Sequence, residues 1–127
     1  MPRFTRFAKG FQRGKKKGQN KTEEAYAAYL GTLKLAGDIA DFGYEWITLK
    51  LADDTRYTPD FFVLTSDYTV EFHEVKAGIL NKSTGEVKAL MKDDALVKIK
   101  VAAERFPFRF KMAFLYKGTW YWKEYLE

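Results

Sequence analysis

Arg56-Tyr57-Thr58-Pro59-Asp60-Phe61-Phe62-Val63-Leu64-Thr65-Ser66-Asp67-Tyr68-Thr69-Val70-Glu71-Phe72-His73-Glu74-Val75-Lys76 is the stretch that decides how this chain folds. Its two halves, 57–64 and 69–76, are rich in β-branched and aromatic residues and read as strands joined by a tight turn. Pro59 sits near the start of the first, where a missing N–H is tolerated. Side chains alternate along a strand, so Glu74 and Lys76, two apart, share a face. Whether Asp60 joins them depends on the turn. A loop of Ser66-Asp67 alone sets Asp60 against His73 and points it the wrong way. A loop of Ser66-Asp67-Tyr68 sets Thr65 against Thr69 and Asp60 against Glu74, on one face; a bulge would restore the same parity. One of these last two arrangements is expected.

Outward from this hairpin, Thr22 to Ala36 reads as a helix. Thr22 is placed to cap it, Glu23 and Glu24 lie in its first turn, Tyr26, Leu30 and Leu33 form an apolar stripe, and Gly37 ends it. Tyr44 to Leu51 alternates and reads as a strand, followed by an Ala52-Asp53-Asp54 turn. Gly78 to Glu86 reads as a loop. Lys88 to Phe106 reads as a second helix, with Leu96, Ile99, Ala103 and Phe106 at helical spacing and Pro107 blocking its continuation. Phe108 to Tyr116 and Thr119 to Tyr125 read as closing strands around Lys117-Gly118. The expected order is α-β-β-β-α-β-β, an α/β-class (α+β) fold. A helical crossover between the third and fourth strands implies a mixed sheet with helices packed on it.

The 127 residues suit one domain with its own core, and eleven Phe, eight Tyr and three Trp supply the apolar surface to build it. No apolar run is long enough to span a bilayer as a helix. The basic N-terminus lacks the apolar core of a secretory signal. The absence of cysteine excludes disulfides and thiolate metal sites and fits a reducing cytoplasm. Charge is unevenly placed. Eight of the 22 Lys and Arg and none of the 17 acids fall within residues 1–21, so the +5 net charge belongs to that segment. Residues 1–20 read as a flexible basic arm and 21–127 as a single domain. Arg13, Lys15, Lys16, Lys17 and Lys21 are candidate phosphate contacts, since such arms are drawn to polyanions, nucleic acid above all. On the second helix, Lys98 and Lys100 are further candidates for the DNA backbone.

Two carboxylates brought together make an oxygen-lined site for Mg²⁺ or Mn²⁺. Asp60 and Glu74 are the candidate direct ligands, with the Val75 carbonyl as a third. Lys76 on the same face would orient or deprotonate a water, or neutralise charge building at phosphorus. A fourth group is expected from the first helix. Glu24 is chosen over Glu23, because it lies beside Ala27 and Ala28, to reach a second metal or a metal-bound water. His73 points to the opposite face from Glu74 and is read as structural. The aromatic residues of 108–125 are read as core or as a subunit interface, which suits a homodimer.

The run Arg56 to Phe61, followed by Glu71-Phe72-His73-Glu74-Val75-Lys76-Ala77, resembles the PD-(D/E)xK nuclease superfamily. It is most similar to the small phage-type endonuclease I and Holliday-junction-resolvase-like enzymes. Lys21-Thr22-Glu23-Glu24-Ala25 upstream and Val97-Lys98-Ile99-Lys100 before Phe106-Pro107 fall in the order those proteins show. Where the family has Gly after the E-x-K element, this chain has Ala77 and then Gly78. The resemblance spans roughly residues 21–116. It implies a restriction-endonuclease-like core and a divalent-metal-dependent DNA endonuclease of phage origin, acting in the host cytoplasm. Glu24, Asp60, Glu74 and Lys76 are the matching positions, and branched or structured DNA is the implied substrate. The rival expectations are a non-catalytic nucleic-acid-binding module and a phage assembly protein on the same scaffold.

Overall fold

A computed structural model describes residues 18–126. Helix α1 (Lys21–Ala36) opens with a capping box: the Asn20 side chain accepts from the Glu23 N–H, and the Glu23 carboxylate accepts from the Asn20 N–H. The cap is therefore Asn20, not Thr22. At the other end Gly37, at φ 82°, donates its N–H to the carbonyls of Leu33 and Lys34 and stops the helix as expected. Most of the basic arm read over residues 1–20, including Arg13, Lys15, Lys16 and Lys17, lies outside the described residues. Of its last three residues, Asn20 caps α1 and the Gly18 carbonyl oxygen lies 3.3 Å from the Tyr44 hydroxyl.

The strands are β1 (Ile39–Tyr44), β2 (Leu49–Ala52), β3 (Thr55–Tyr57), β4 (Phe61–Thr65), β5 (Val70–Leu80), β6 (Val87–Ala89), β7 (Arg109–Tyr116) and β8 (Thr119–Tyr125), with helix α2 (Asp93–Arg105) between β6 and β7. The main sheet runs β1-β4-β5-β7-β8, and β6 pairs with the far half of β5. The β5 and β7 strands are parallel and every other pair is antiparallel, so the fold is α+β with a mixed sheet and two helices. The expected helical crossover is the β5–α2–β7 connection.

Four stretches depart from the sequence reading. The strand expected at 57–64 is divided, since Tyr57 ends β3 and β4 begins only at Phe61. The strand expected at 44–51 is two strands. Gly43 is packed so tightly under the Trp46 indole that a Cβ there would overlap the ring. Glu45 takes φ 51° and donates its N–H to the Asp60 carbonyl, which turns the chain out of the main sheet. It then forms the separate β2–β3 hairpin. The loop expected at 78–86 is shorter, because β5 continues to Leu80 and returns as β6. Gly78 makes this possible: a Cβ there would come within 3.0 Å of the Leu115 carbonyl oxygen and the Tyr116 Cβ. The second helix begins at Asp93 rather than Lys88, since 87–89 pair as β6.

Apolar residues divide between the two faces of the sheet. Between α1 and the sheet, Tyr26 and Leu30 of the helix meet Phe61, Val63, Val75 and Ala113. On the other face, Ile99 of α2 and Leu49 and Tyr57 of the β2–β3 hairpin meet Phe72, Phe110 and Met112. Full burial of residues such as Ile99 and Phe110 contributes about 1.5–3 kcal/mol each. Both faces of β5 are thus covered, and its polar residues Glu71, His73 and Glu74 are buried between layers.

Candidate functional site: an acid pair at the head of β4

The β4–β5 hairpin settles the parity question. Phe61 pairs with His73, Phe62 with Phe72, Val63 with Glu71 and Leu64 with Val70. The loop is Ser66-Asp67-Tyr68, with Tyr68 at φ 65° and the Thr65 N–H donating to the Thr69 carbonyl. Continued one step, this register sets Asp60 against Glu74. The two are tied reciprocally: the Val75 N–H donates to Asp60 Oδ2 at 2.9 Å, and the Asp60 N–H donates to Glu74 Oε1 at 3.2 Å. Both carboxylates are buried, and Lys76 Nζ lies 3.7 Å from Glu74 Oε2 on the same face. Val75 contributes its N–H to the site, while its side chain packs under α1.

Of the two acids in the first turn of α1, it is Glu23 that faces the sheet, not Glu24. Glu24 is exposed, whereas Glu23 is 7 % exposed. Glu23 stands three and seven residues before the buried Tyr26 and Leu30, on the stripe that faces the sheet. Of the neighbours that favour Glu24, Ala28 is exposed, while Ala27 is half-buried against the core under α1. One sequence signal pointed to Glu23: Asn20-Lys21-Thr22-Glu23 has capping-box spacing. The Tyr44 hydroxyl donates to Glu23 Oε1 at 3.0 Å, and the charge of Glu23 acts on both Asp60 and Glu74.

Each of the three carboxylates is anchored through one oxygen. Glu23 Oε1 accepts from Asn20 N and the Tyr44 hydroxyl. Glu74 Oε1 accepts from the Tyr57 hydroxyl at 2.9 Å and from Asp60 N. Asp60 Oδ2 accepts from Val75 N. Among the described residues, Glu23 Oε2, Asp60 Oδ1 and Glu74 Oε2 accept no hydrogen bond. Neither tyrosine was read as a site residue, because a tyrosine in a strand pattern looks like core.

Burial and like charge make this pair costly. Burial first, then the charge of Glu74, pushes the Asp60 carboxyl up to about 9, against the opposing Val75 N–H. Burial also raises Glu74, with the Tyr57 hydroxyl and the Lys76 charge acting the other way. Without another cation, one carboxyl of the pair holds a proton at neutral pH. A divalent cation relieves both desolvation and repulsion, and hard carboxylate oxygens are the donors Mg²⁺ and Mn²⁺ prefer. The donor set fits such an ion with Asp60 and Glu74 as direct ligands. Among the described residues no three His, Cys, Asp or Glu side chains form a ready-made cage.

An open groove of about 570 Å³ borders Lys76 and is lined by Leu90, Met91, Lys92, Asp94 and Ala95. Of the candidate phosphate contacts that are described, Lys21 and Lys100 are exposed and Lys98 is half-buried. On the opposite face, His73 is structural as expected. The Trp122 indole N–H donates to the Tyr26 hydroxyl at 3.0 Å, so the Tyr26 proton goes to His73 Nδ1 at 2.7 Å. His73 Nε2–H then donates to Glu71 Oε1 at 2.9 Å, beside Lys111 Nζ at 3.1 Å. Burial holds the His73 pKa down, and the His73 hydrogen bond holds the Glu71 carboxyl at about 2.

No family model, curated protein or solved structure matches this chain. Among the described residues no helix is long and apolar enough to cross a membrane.

Proposed function

We propose that this chain is a divalent-metal-dependent DNA endonuclease with a restriction-endonuclease-like core. The reading rests on one observation, the three-residue turn that sets Asp60 across from Glu74, with Lys76 on the same face. The resemblance of the Pro59-Asp60 and Glu74-Val75-Lys76 elements to PD-(D/E)xK nucleases supports it.

Asp60 and Glu74 would hold Mg²⁺ or Mn²⁺, which when bound supplies Lewis-acid activation of the phosphodiester and its attacking water. The Lys76 ammonium beside Glu74 stabilises charge developing on the phosphoryl oxygens. Glu23, held by Tyr44 and the start of α1, orients water through its free oxygen. The basic groups of residues 1–21 provide salt-sensitive, sequence-independent affinity for the DNA backbone. The resemblance extends the proposal to a phage protein acting as a homodimer on double-stranded or branched DNA in the host cytoplasm.

Plasmid nicking with Mg²⁺ or EDTA tests the reading on wild type and Asp60→Ala. Nicking should require the metal and fall by at least about 100-fold in the variant, as removal of a metal ligand predicts. Equal nicking by Asp60→Ala sinks the assignment. Salt-dependent DNA binding with no cleavage by wild type points instead to a binding module.

A further inference from the structure

The β2–β3 hairpin is not part of the main sheet. It packs over α2 and the core beneath, contributing Leu49, Leu51 and Tyr57. Its last residue carries a hydroxyl past that apolar layer to Glu74 Oε1, at 2.9 Å. Tyr57 is 7 % exposed. Its ring is held by packing and its position along the chain by the β2–β3 ladder, in which Leu49 pairs with Tyr57. A Thr48–Thr58 hydroxyl pair at 2.7 Å ties the hairpin just beyond Tyr57. The donor is therefore fixed before any ligand arrives.

A glutamate can turn about its last torsion and exchange its oxygens. Two donors on Glu74 Oε1, the Tyr57 hydroxyl and Asp60 N, oppose that rotation and leave Oε2 on the side of Lys76. Asp60 N sits 3.2 Å from the carboxylate, so the tyrosine is the closer donor. The geometry points to Tyr57 as a positioning residue: it clamps Glu74 so that Oε2 is presented to a divalent cation shared with Asp60. This rests on the metal-dependent reading above. It also gives the hairpin a task besides covering the core, since loss of its register would withdraw the hydroxyl from the acid.

Groups that orient a metal ligand typically change metal affinity or activity by about 10–100-fold when removed. Mn²⁺ binding, followed by electron paramagnetic resonance of the free ion, tests the clamp on the whole chain. The variants are Tyr57→Phe, Glu74→Gln, the double variant, and Tyr125→Phe as a control. Tyr125 is buried in the same cluster but its hydroxyl reaches no carboxylate among the described residues. Tyr57→Phe should weaken Mn²⁺ at least about tenfold with the thermal transition retained, while Tyr125→Phe matches wild type. The double variant should bind no more weakly than Glu74→Gln, because a residue acting through Glu74 has nothing left to act on. A merely structural tyrosine would add its own loss on top. Wild-type affinity in Tyr57→Phe, additive losses, or a Tyr57→Phe protein without a cooperative transition each overturn the clamp and leave the metal site standing. Failure of wild type to bind Mn²⁺ overturns both readings.

Discussion

Replacing Asp60 with Asn should stabilise the metal-free protein, and by more as the pH rises. The folded state raises the Asp60 carboxyl to about 9 from its ordinary 3.8, through burial first and the charge of Glu74 second. A raised carboxyl keeps its proton in the folded chain while the unfolded chain gives it up. Stability is therefore undiminished below the unfolded value and falls as pH climbs toward the folded one. The cleanest window is pH 7 to 9. Below it, the lowered His73 adds an opposite slope, because an unfolded histidine takes up protons that the buried one refuses. Above it, the raised pKa values of Tyr26, Tyr44 and Tyr57 begin to matter as unfolded tyrosines ionise. Within it, each pH unit costs at most about 1.4 kcal/mol, so two units cap the loss near ~2.7 kcal/mol. At this chain length about 4 °C of Tm corresponds to each kcal/mol. The wild-type Tm in EDTA should thus fall by roughly 5–10 °C from pH 7 to 9. Asp60→Asn should be nearly flat, because a carboxamide oxygen can still accept from the Val75 N–H and carries no charge. Mg²⁺ in place of EDTA should raise the wild-type Tm at pH 8 and leave the variant unmoved. Differential scanning fluorimetry across the series reads all of this. A wild-type Tm that is level or rising over the window, or a variant with the wild-type slope, refutes the buried-pair account.

Three further outcomes follow from the same geometry. Glu23→Gln, which keeps the capping-box spacing and the fold, should lower the Mg²⁺-dependent nicking rate by at least about tenfold, whereas Glu24→Gln on the exposed side of α1 should match wild type. Tyr26→Phe strands the buried His73 Nδ1 and takes the acceptor from the half-exposed Trp122 indole N–H; at about 1–3 kcal/mol for an unsatisfied buried group, the urea midpoint should drop clearly, while nicking per folded molecule is unchanged. Deleting residues 1–17 removes Arg3, Arg6, Lys9, Arg13, Lys15, Lys16 and Lys17; it should flatten the salt dependence of DNA binding by about 0.9 logarithmic units for each phosphate the arm no longer neutralises, and an unchanged slope removes the arm from the interface.

The elements whose signal is local were legible. Alternation over 69–76, the Gly37 stop and the Pro107 break each act within a few residues, and α1, β5 and β7–β8 stand close to their expected places, although β4 starts at Phe61 and not at Tyr57 and β5 runs on to Leu80. Where tertiary packing decides, the reading failed. Tyr44-Glu45-Trp46-Ile47-Thr48-Leu49-Lys50-Leu51 alternates like one strand, yet it breaks because the Trp46 indole packs back on Gly43 and stacks on Phe62. No periodicity reports a side chain returning over its own backbone. The same holds for β6. Its three residues take strand form because Gly78 lets β5 run on past β7 and offer them an edge.

For the site, parity along a strand is a local property, and it carried Asp60, Glu74 and Lys76 to one face once the turn length was limited to two choices. The choice between Glu23 and Glu24 asked a different question, which side of a helix meets the sheet. The apolar stripe Tyr26, Leu30, Leu33 already contained that answer, because a residue three or seven positions before it must lie beneath it. Small neighbours are a poor mark of close approach, since Ala27 is half-buried but Ala28 is exposed. Tyr44 and Tyr57 lay beyond reach for a physical reason. A tyrosine offers a strand the same hydrophobic ring whether its hydroxyl meets water or a carboxylate. The ring is set by the local pattern, but the acid it touches is set by the layer on the far side of the core. Each glutamate is thus placed by its own strand or helix, and its rotation is restrained by a tyrosine from another element. The consequence is a candidate site whose carboxylates are specified by a short stretch of strand and helix and whose precision is specified by the packing of the whole domain.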